Sequence, residues 1–501
     1  MIKTSTTFVT DNKYMQALYD GAERVLLSSV KAFGDRRVLT AGPRADRMTL
    51  NSEVAGAATL SAYDLEAALN TAMAFFATQR EDGRLADSVF YRDGVASARY
   101  EALTGFCFAE EALSLYYLTR RKDRDYLEAL LSSLIRFDTY LWEHHDLNFN
   151  RCLEIFSESE AEEGEGIGRF MPIRVEHYGE VRDVSPFPVE TGDLMACDVN
   201  VRRMIARIYT LMGDDERAKE WNLKTLDVQT QIKNALWVSS RGACFDRDYR
   251  GSIMDVLSIN NLFMMYYGAF DREMAEAFLA HLTSPEGFAT AMPLPSVAFG
   301  DRHFVNDDRP NFNGQPRGMT YRRAIGALEK YGYFSLLTEI GSKFLSSVGE
   351  HCAYTEQFNP FTGEPVRKSA QSEYMPTASA ALEFVARFFG VRQHLDRLHW
   401  GALGHIEGYT SEYRFTWGGD TFRLVAESDT SSGFIGDKPL FTVTNGMRVI
   451  TDLHGNSPRV INVKKEPIDG VLVYRDRTYS FSLAPDEVFD VCKTRVADDH
   501  L

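Results

Sequence analysis

Two amphipathic helices are predicted within residues 191–238, which read TGDLMACDVNVRRMIARIYTLMGDDERAKEWNLKTLDVQTQIKNALWV. Apolar residues in the first half recur at helical spacing: Met195, Val199, Ile205 and Ile208. Gly213 is expected to end the first helix and Asp214 to begin the second, because glycine favours helix ends and aspartate favours helix starts. The stretch therefore predicts a helix hairpin.

Similar periodicity covers the first four fifths of the chain. Helices are predicted in eleven runs: 12–33, 61–80, 98–120, 123–144, 191–212, 214–238, 254–267, 271–283, 319–332, 335–349 and 376–390. Another pair is joined by an Arg-Arg-Lys break after Tyr117, with Asp123 as the predicted N-cap. Repeated hairpins whose long loops return on one side predict a toroid of inner and outer helices. Six hairpins need twelve helices, so one helix is expected to be short or misassigned.

After Trp400 the pattern changes to the alternation typical of strands. Hairpins are predicted over residues 413–425, through a Gly-Gly turn, and 441–450, through an Asn-Gly turn. Further alternating runs are 459–464, 470–475 and 478–483. The predicted fold is mainly α: an (α/α)6 toroid forming the catalytic domain, residues 1–398, with a small C-terminal β-sandwich domain, residues 399–501. A packing role for the β domain is favoured over sugar binding.

Composition narrows the classes of partner. The 501 residues are 44% hydrophobic and 25% charged, which is typical of a globular protein. A formal net charge of −16 without a basic stripe argues against nucleic acid and membrane partners. No signal peptide or membrane span is apparent, and the six cysteines form no Cys-x-x-Cys pair, so a cytoplasmic protein with no metal and no cofactor is expected. The sequence leaves open whether the chain forms a homo-oligomer.

Two carboxylate-bearing loops indicate the chemistry. The first, residues 153–170, reads LEIFSESEAEEGEGIGRF, and the second, residues 354–364, reads YTEQFNPFTGE. Each lies between helical runs, and the Asn-Pro-Phe-Thr-Gly turn of the second is held by its own local chemistry. A fold that brings the two loops together sets two carboxyl groups across one cleft, which is the arrangement that hydrolyses a glycosidic bond. The predicted partner is thus a small-molecule carbohydrate substrate.

Several segments together resemble the (α/α)6-barrel α-glycosidases, a group that includes trehalases, processing α-glucosidase I, and the mannosylglycerate and glucosylglycerate hydrolases. The segments that carry the resemblance are 198–209, 213–221, 235–237, 244–246, 326–333, 356–364 and 376–378. The similarity spans about residues 45–390, and the order of the segments carries more weight than any one of them.

This resemblance implies an inverting mechanism with a general acid in the first loop and a general base in the second. Counting back from Arg169-Phe170 puts Glu165 at the position of the aspartate that is the family's general acid. Glu356 matches the family's general base. Glutamate is one methylene longer than aspartate, so four neighbours remain alternatives for the acid: Glu154, Glu160, Glu162 and Glu163.

The resemblance also implies residues that hold the sugar. Three of the family's segments are replaced here, with loss of their tryptophans: its Tyr-Trp-Arg-Gly segment by residues 311–319, its Trp before Thr-Ala by residues 374–376, and its early Trp-Asp motif by residues 49–53. The predicted substrate-binding residues are Glu53, Arg169, Asp198, Asn200, Asn313, Gln315, Arg317 and Tyr374. For Asp198 and Asn200 a role in capping and solvating their helix is the alternative, and for Arg317 the capping of a neighbouring element.

Three classes of function follow. The leading one is an inverting, exo-acting α-glycosidase on a small glycoside or short oligosaccharide, because long loops over one barrel face make a closed pocket. The second is another sugar-active enzyme on the same barrel type, an epimerase or a polysaccharide lyase, in which His or Tyr carries the proton. The third is a catalytically inactive sugar-binding protein, which the missing tryptophans favour.

Overall fold

The computed structural model describes residues 2–92, 95–101, 103, 108–161, 168–177, 180–307, 313–366, 373–405 and 408–493. Twelve α-helices lie in these ranges: α1 (Lys13–Ser28), α2 (Leu50–Leu60), α3 (Leu65–Ala77), α4 (Ala109–Leu118), α5 (Arg124–His144), α6 (Gly192–Met212), α7 (Asp215–Ala235), α8 (Asn260–Tyr267), α9 (Arg272–Thr283), α10 (Gly318–Tyr331), α11 (Phe334–His351) and α12 (Met375–Phe389). The protein is thus rich in helix up to residue 389. None of the described helices has an apolar stretch long enough to cross a lipid bilayer.

The even-numbered helices pack on one another in chain order. Helix α2 contacts α4, and the contacts continue through α6, α8 and α10 to α12, which in turn contacts α2. Each odd-numbered helix among α1, α3, α5, α7 and α11 lies against one or two of these six. Every residue of α12 is buried, whereas α7 buries a single stripe. An element surrounded by protein is apolar on all sides, and an outer one only on its inner face.

The sequence explains how the hairpins turn. Helices α6, α8 and α10 end at glycines in the left-handed conformation, Gly213, Gly268 and Gly332. Four odd-numbered helices, α3, α5, α7 and α9, begin at aspartates whose side chains accept a backbone N–H of the first turn: Asp64, Asp123, Asp214 and Asp271. The predicted roles of Asp123, Gly213 and Asp214 are confirmed.

The connections divide into short and long ones. Five short turns follow even-numbered helices: residues 61–64, 119–123, 213–214, 268–271 and 332–333. Six long connections precede the even-numbered helices: residues 29–49, 78–108, 145–191, 236–259, 284–317 and 352–374. We call the N-terminal ends of the even-numbered helices the loop end and their C-terminal ends the turn end.

Most of the predicted helices are present, with four corrections. The run 98–120 is helical only over Ala109–Leu118 among the described residues, because Val95–Arg99 forms strand β6, and the run 254–267 is helical only over Asn260–Tyr267. The run 12–33 ends at Ser28, and its last residues form strand β2, because Val30–Phe33 pairs with Arg36–Leu39. Helix α2 was missed, since nearly all of its residues are buried and it has no apolar stripe to recognise.

Short strands occupy the long connections: β2 (Val30–Phe33), β3 (Arg36–Leu39), β4 (Arg47–Thr49), β5 (Ser88–Arg92), β6 (Val95–Arg99), β7 (Glu154–Ile155), β8 (Ile173–His177), β9 (Glu180–Val184), β10 (Val189–Glu190), β11 (Trp237–Val238) and β12 (Ala243–Cys244). They pair antiparallel, and in the order β4-β5-β6 the pairing of β4 with β5 joins the first long connection to the second.

Beyond α12 the chain forms strands: β13 (Val391–His394), β14 (Arg397–Ala402), β15 (Ser411–Trp417), β16 (Asp420–Ala426), β17 (Thr430–Ile435), β18 (Lys438–Thr444), β19 (Met447–Asp452), β20 (Arg459–Asn462), β21 (Ile468–Tyr474), β22 (Arg477–Leu483) and β23 (Val488–Asp490). Two antiparallel sheets result, ordered β1-β15-β16-β17-β18-β21-β22 and β13-β14-β19-β20-β23, the first of which includes β1 (Thr4–Thr10). Buried Trp400 of the second sheet contacts the rings of Phe422 and Phe441 of the first. The predicted division between residues 398 and 399 stays a prediction, and β14 spans it.

One of the two predicted hairpins is confirmed. Residues 411–426 turn at Gly418-Gly419, both with positive φ. The prediction of a hairpin over residues 441–450 is wrong, because β18 pairs with β17 and β21 whereas β19 pairs with β14 and β20. At Gly446 the backbone N–H donates to the carbonyls of Ala402 and Leu403, so this turn carries the chain from one sheet to the other.

Candidate active site

Glu356 lies at the loop end, in the connection between α11 and α12. The Gly318 N–H, at the start of α10, donates to the Glu356 carbonyl (2.9 Å), and the Phe358 N–H donates to the Pro316 carbonyl (3.0 Å). A β-bridge joins Arg317 to Gln357 between these bonds. The backbone of Glu356 is therefore fixed to the beginning of α10.

The Glu356 side chain is held by Arg317. One guanidinium nitrogen of Arg317 donates to Glu356 Oε1 at 2.8 Å, and the Arg317 side chain is 10% exposed. Glu356 keeps 20% of its side chain exposed, so the carboxylate is oriented but still open to solvent. A positioned, accessible carboxylate is what a general base needs.

The turn after Glu356 has the local bonding that its sequence predicts. Asn359 Oδ1 accepts the N–H groups of Phe361 (2.9 Å) and Thr362 (3.2 Å), and the Gly363 N–H donates to the Asn359 carbonyl (2.9 Å). Gly363 has a φ of 74°, which glycine adopts without strain.

Tyr374 is buried at the start of α12, and its backbone N–H donates to the Tyr354 carbonyl (2.6 Å). Burial raises the pKa of its hydroxyl, the negative charge of Glu356 raises it further, Arg317 lowers it, and Glu53 raises it. These four side chains thus lie around one another: Glu53 comes from α2, Arg317 from the residue before α10, and Glu356 and Tyr374 from the connection before α12.

Glu53, in the first turn of α2, is fully buried. Its Oε2 accepts the Thr49 N–H (2.9 Å), the Thr49 hydroxyl (2.7 Å) and the Ser52 hydroxyl (2.6 Å), while Oε1 is buried without a hydrogen-bond partner among the described residues. Burial raises the pKa of Glu53 to about 7, against the lowering effect of those three bonds. This carboxyl therefore has one oxygen held by protein and one available to a ligand hydroxyl.

Gln315 and Asn313 lie just before α10. Gln315 is fully buried, and its side-chain amide donates to the Asp307 carbonyl (2.9 Å). Asn313 is half-buried, and its backbone carbonyl accepts the Val305 N–H (3.3 Å). Both residues hold the connection that delivers Arg317.

Arg169 is engaged within the protein. It is 2% exposed, forms two bonds of 3.1 Å with the carboxylate of Asp193, and pairs with Asp246 on its other side. Asp193 also accepts the side-chain amide of Asn260 (2.7 Å). The described contacts assign Arg169 to tying residues 168–170 to α6 and to the connection before α8, and they offer no support for a substrate contact.

Asp198 and Asn200 face other helices. Asp198 accepts the Trp142 indole N–H (2.9 Å) and pairs with Arg202 (2.9 Å), and burial raises its pKa well above the ordinary value. Asn200 donates to Glu110 Oε2 (3.2 Å). These partners belong to α4, α5 and α6 itself, so the structure does not place the two residues with Glu356.

Glu165, the predicted acid, lies outside the described residues, as do the alternatives Glu162 and Glu163. Glu154 Oε1 accepts the side-chain amide of Asn148 (2.8 Å), and Glu160 Oε2 accepts the Phe156 N–H (2.7 Å). Both of the described alternatives are occupied in holding their own loop.

Arg323 is a residue that the sequence did not single out. It is 2% exposed on α10, its guanidinium lies over the Phe263 ring at 4.5 Å, and its charge lowers the pKa of Tyr374. The sequence signal that could have identified Arg323 is the Arg322-Arg323 pair within the predicted helix 319–332. Within the described ranges, no group of three His, Cys, Asp or Glu side chains is placed to hold a metal ion.

The family model of the mannosylglycerate hydrolase MGH1-like glycoside hydrolase domain matches residues 49–374. A comparison with curated protein sequences finds no match.

Solved structures share the fold. The GH63 mannosylglycerate hydrolase of Thermus thermophilus, in complex with glucose, is 20% identical with a TM-score of 0.59, over 74% of this chain and 100% of that chain. An α-L-rhamnosidase from Dictyoglumus thermophilum is 12% identical with a TM-score of 0.56, over 97% and 50%. The neutral trehalase of Saccharomyces cerevisiae is 14% identical with a TM-score of 0.50, over 74% and 79%.

Proposed function

Because the chain belongs to the family of MGH1-like glycoside hydrolases, whose model matches well over half of it, we propose that it is an inverting, exo-acting α-glycosidase on a small glycoside or short oligosaccharide. The observation that carries this proposal is the ion pair of Glu356 with Arg317 at the loop end, beside Glu53 and Tyr374. The substrate is a carbohydrate whose terminal sugar enters between the long connections.

The closed series of even-numbered helices supports the (α/α)6 toroid as the architecture of residues 1–398, with residues 399–501 as a β-sandwich domain. In a toroid, the N-terminal ends of inner helices surround one opening. At those ends, Glu53 lies in the first turn of α2, and Arg317 and Tyr374 directly precede α10 and α12.

Glu356 acts as the general base. It deprotonates a water molecule that attacks the anomeric carbon from the face opposite the leaving group, while Arg317 keeps the carboxylate aimed at that water. Glu165 acts as the general acid and protonates the glycosidic oxygen. In an inverting enzyme the two carboxyl groups stand about 6.5–9.5 Å apart, which leaves room for the water.

Glu53 and Tyr374 bind the sugar that is released. Glu53 Oε1 accepts a sugar hydroxyl, which gives the buried oxygen the partner that it otherwise lacks. The Tyr374 ring takes the place of the family's tryptophan beneath the sugar. Asn313, Gln315 and Arg323 position these groups.

Incubation of the full chain with a panel of α-glycosides tests the proposal. Release of a single sugar, with the β-anomer first in the NMR spectrum, is the expected result, because inversion at an α-linkage yields β. Release of the α-anomer first would overturn the inverting mechanism, and elimination or epimerisation products would overturn hydrolysis.

A further inference from the structure

A cavity of about 210 Å³ lies among the even-numbered helices, and Glu356 is not among the residues that line it. It is lined by residues of α2, α4, α8, α10 and α12, including Ala58 of α2, Leu118 of α4 and Tyr266 of α8, and by Ser61 in the turn after α2. Strands β13 and β14 line it as well, through Gln393 and His399. We call it the axial cavity and define it by six charged residues: Glu110, Glu111, Arg322, Glu329, Glu383 and Arg392.

Three of its four carboxylates are neutralised by cations. Glu110 pairs with Lys330 (2.7 Å), and Glu329 pairs with Arg387 (2.9 Å) and Arg448. Glu383 pairs with Arg387 and with Arg392 (2.9 Å). The pKa of each of these three carboxyls is lowered: burial opposes ionisation, but the neighbouring cations outweigh it.

Glu111 is different. Its carboxylate receives the Tyr266 hydroxyl, and it pairs with no cation among the described residues. Burial raises the pKa of Glu111 to about 7, so the group is largely protonated just below neutral pH and supplies little negative charge there.

Arg322, one turn into α10, is the cation of the axial cavity that forms no ion pair among the described residues. Its charge acts on Glu111 and Glu383, but within the described part of the chain neither carboxylate lies within ion-pair distance of it. Its Nε is buried without a hydrogen-bond partner among the described residues. Arg322 as a whole is partly buried, and a buried guanidinium nitrogen without a partner is costly, which favours the entry of an anion.

The size of the cavity and the charge around it define what fits. An apolar cavity of about 150 Å³ takes up a benzene-sized molecule, so this volume admits an anion of several heavy atoms. The charged lining excludes an apolar guest. Guanidinium groups match carboxylate and phosphate oxygens with paired N–H donors.

We propose that the axial cavity binds a small oxyanion, a carboxylate or a phosphate, on Arg322, at a site separate from the active site. The anion supplies the partner that Arg322 lacks. The proposal does not depend on the hydrolytic activity.

Thermal unfolding of the full chain in sodium phosphate and in sodium malonate, each against sodium chloride of equal ionic strength, tests this. A ligand that binds only the folded chain raises Tm, by about 2–3 °C at a hundredfold excess over Kd for a chain of this length. Malonate represents a carboxylate source and phosphate a phosphate source, so the anion that raises Tm identifies the class. A rise equal to that in chloride, or none, overturns the proposal.

Arg322→Met removes the charge and keeps much of the side-chain length. This variant is expected to need an at least tenfold higher anion concentration for the same rise in Tm. Arg322→Lys should retain part of the response. Arg272→Met, which changes an exposed arginine on α9, should respond like the native chain. An unchanged response in Arg322→Met overturns the proposal.

The position of the anion provides a check that does not require the variants to fold. A crystal of the native chain soaked in selenate is expected to show anomalous density next to the Arg322 guanidinium. Density only at surface sites, or no density, contradicts the proposal whatever the Tm shows.

Discussion

At the loop end, Glu356 meets one cation, Arg317, and keeps a fifth of its side chain exposed, whereas at the turn end Glu329 is held between Arg387 and Arg448. Both carboxylates are set by arginines, yet only the first can reach a molecule that enters from solvent. Ion pairs that are nearly closed off from water hold helices together, and those left partly open are available for chemistry. The two ends of the same six helices thus have different roles: the ion pairs of the turn end stabilise the fold, and the ion pair of the loop end is available for chemistry.

The contrast between the loop end and the turn end fails if Glu356 proves dispensable for turnover. Glu356→Gln preserves volume but cannot take a proton, so turnover is expected to fall by about 10²–10⁴ while the fold is kept. Steady-state kinetics and circular dichroism measure the two effects. Glu364→Gln, an exposed glutamate of the same turn, is the matched control and should keep native turnover. Near-native turnover in Glu356→Gln would move the base elsewhere.

The acid assignment sharpens the picture of the loop end. Glu165→Gln is expected to slow hydrolysis of natural glycosides by about 10²–10⁴, since the leaving oxygen then departs without a proton. A glycosyl fluoride, whose leaving group needs no proton, should be hydrolysed at nearly the native rate. Equal losses on both substrates would give Glu165 a structural or binding role, and full activity on both would move the acid to Glu154, Glu160, Glu162 or Glu163.

At the turn end the effect should appear in stability. Glu329→Gln leaves Arg387 and Arg448 buried beside a neutral amide and is expected to cost about 3–5 kcal/mol of unfolding free energy. Urea denaturation measures the loss. Glu276→Gln removes an exposed partner of Arg272 and should change stability by less than about 0.5 kcal/mol. A Glu329 variant as stable as this control would show that the ion pairs of the turn end do not hold the helices.

Glu53 belongs to the loop end but is buried like the carboxylates of the turn end. Its pKa is about 7 in the folded chain against an ordinary value of 4.5, so the unfolded chain ionises it first. The contribution of Glu53 to the free energy of unfolding is therefore fully present below its unfolded pKa. It falls by about 3 kcal/mol as pH rises through its folded pKa of about 7. Denaturation at about pH 5 and about pH 8 should show this loss in the native chain and in Glu66→Gln, an exposed control on α3, but not in Glu53→Gln. An equal pH dependence in all three would contradict the burial of the Glu53 charge.

The smallest effect is expected at Arg317. Arg317→Met frees the Glu356 carboxylate to move, and a misplaced base is expected to lower kcat by about 10–100-fold with a smaller change in KM. Arg317→Lys keeps the charge at a shorter reach and should recover part of kcat. A rise in KM alone would instead make Arg317 a substrate contact.

Sequence patterns predicted much of the architecture. The periodicity of the helices, the glycine stop at Gly213 and the aspartate start at Asp214 are local signals, and the structure shows each of them. The turn after Glu356 was also predictable, because Asn359 bonds its own neighbours. Helix α2 was not, since a helix buried on all sides has no apolar stripe.

The site could be predicted only in part. Glu356 and Arg317 were named from the sequence, but their contact across 39 positions depends on how α10 and the connection before α12 pack. Arg169, Asp198 and Asn200 were named for the same site, yet their partners come from other elements. A charged residue in a sequence shows what it can bond with, while the neighbouring helices decide what it does bond with.

What the sequence determined by itself is therefore local: which segments are helices or strands, where they start and stop, and which loops carry carboxylates. The tertiary structure alone decided that β1 joins a sheet formed about 400 residues later, that Gly446 crosses between sheets, and that Arg322 is left without an acidic partner among the described residues. Local signals arise from bonds within a few residues, whereas pairing of distant charges and strands depends on the packing of the whole core, which no short stretch of sequence contains.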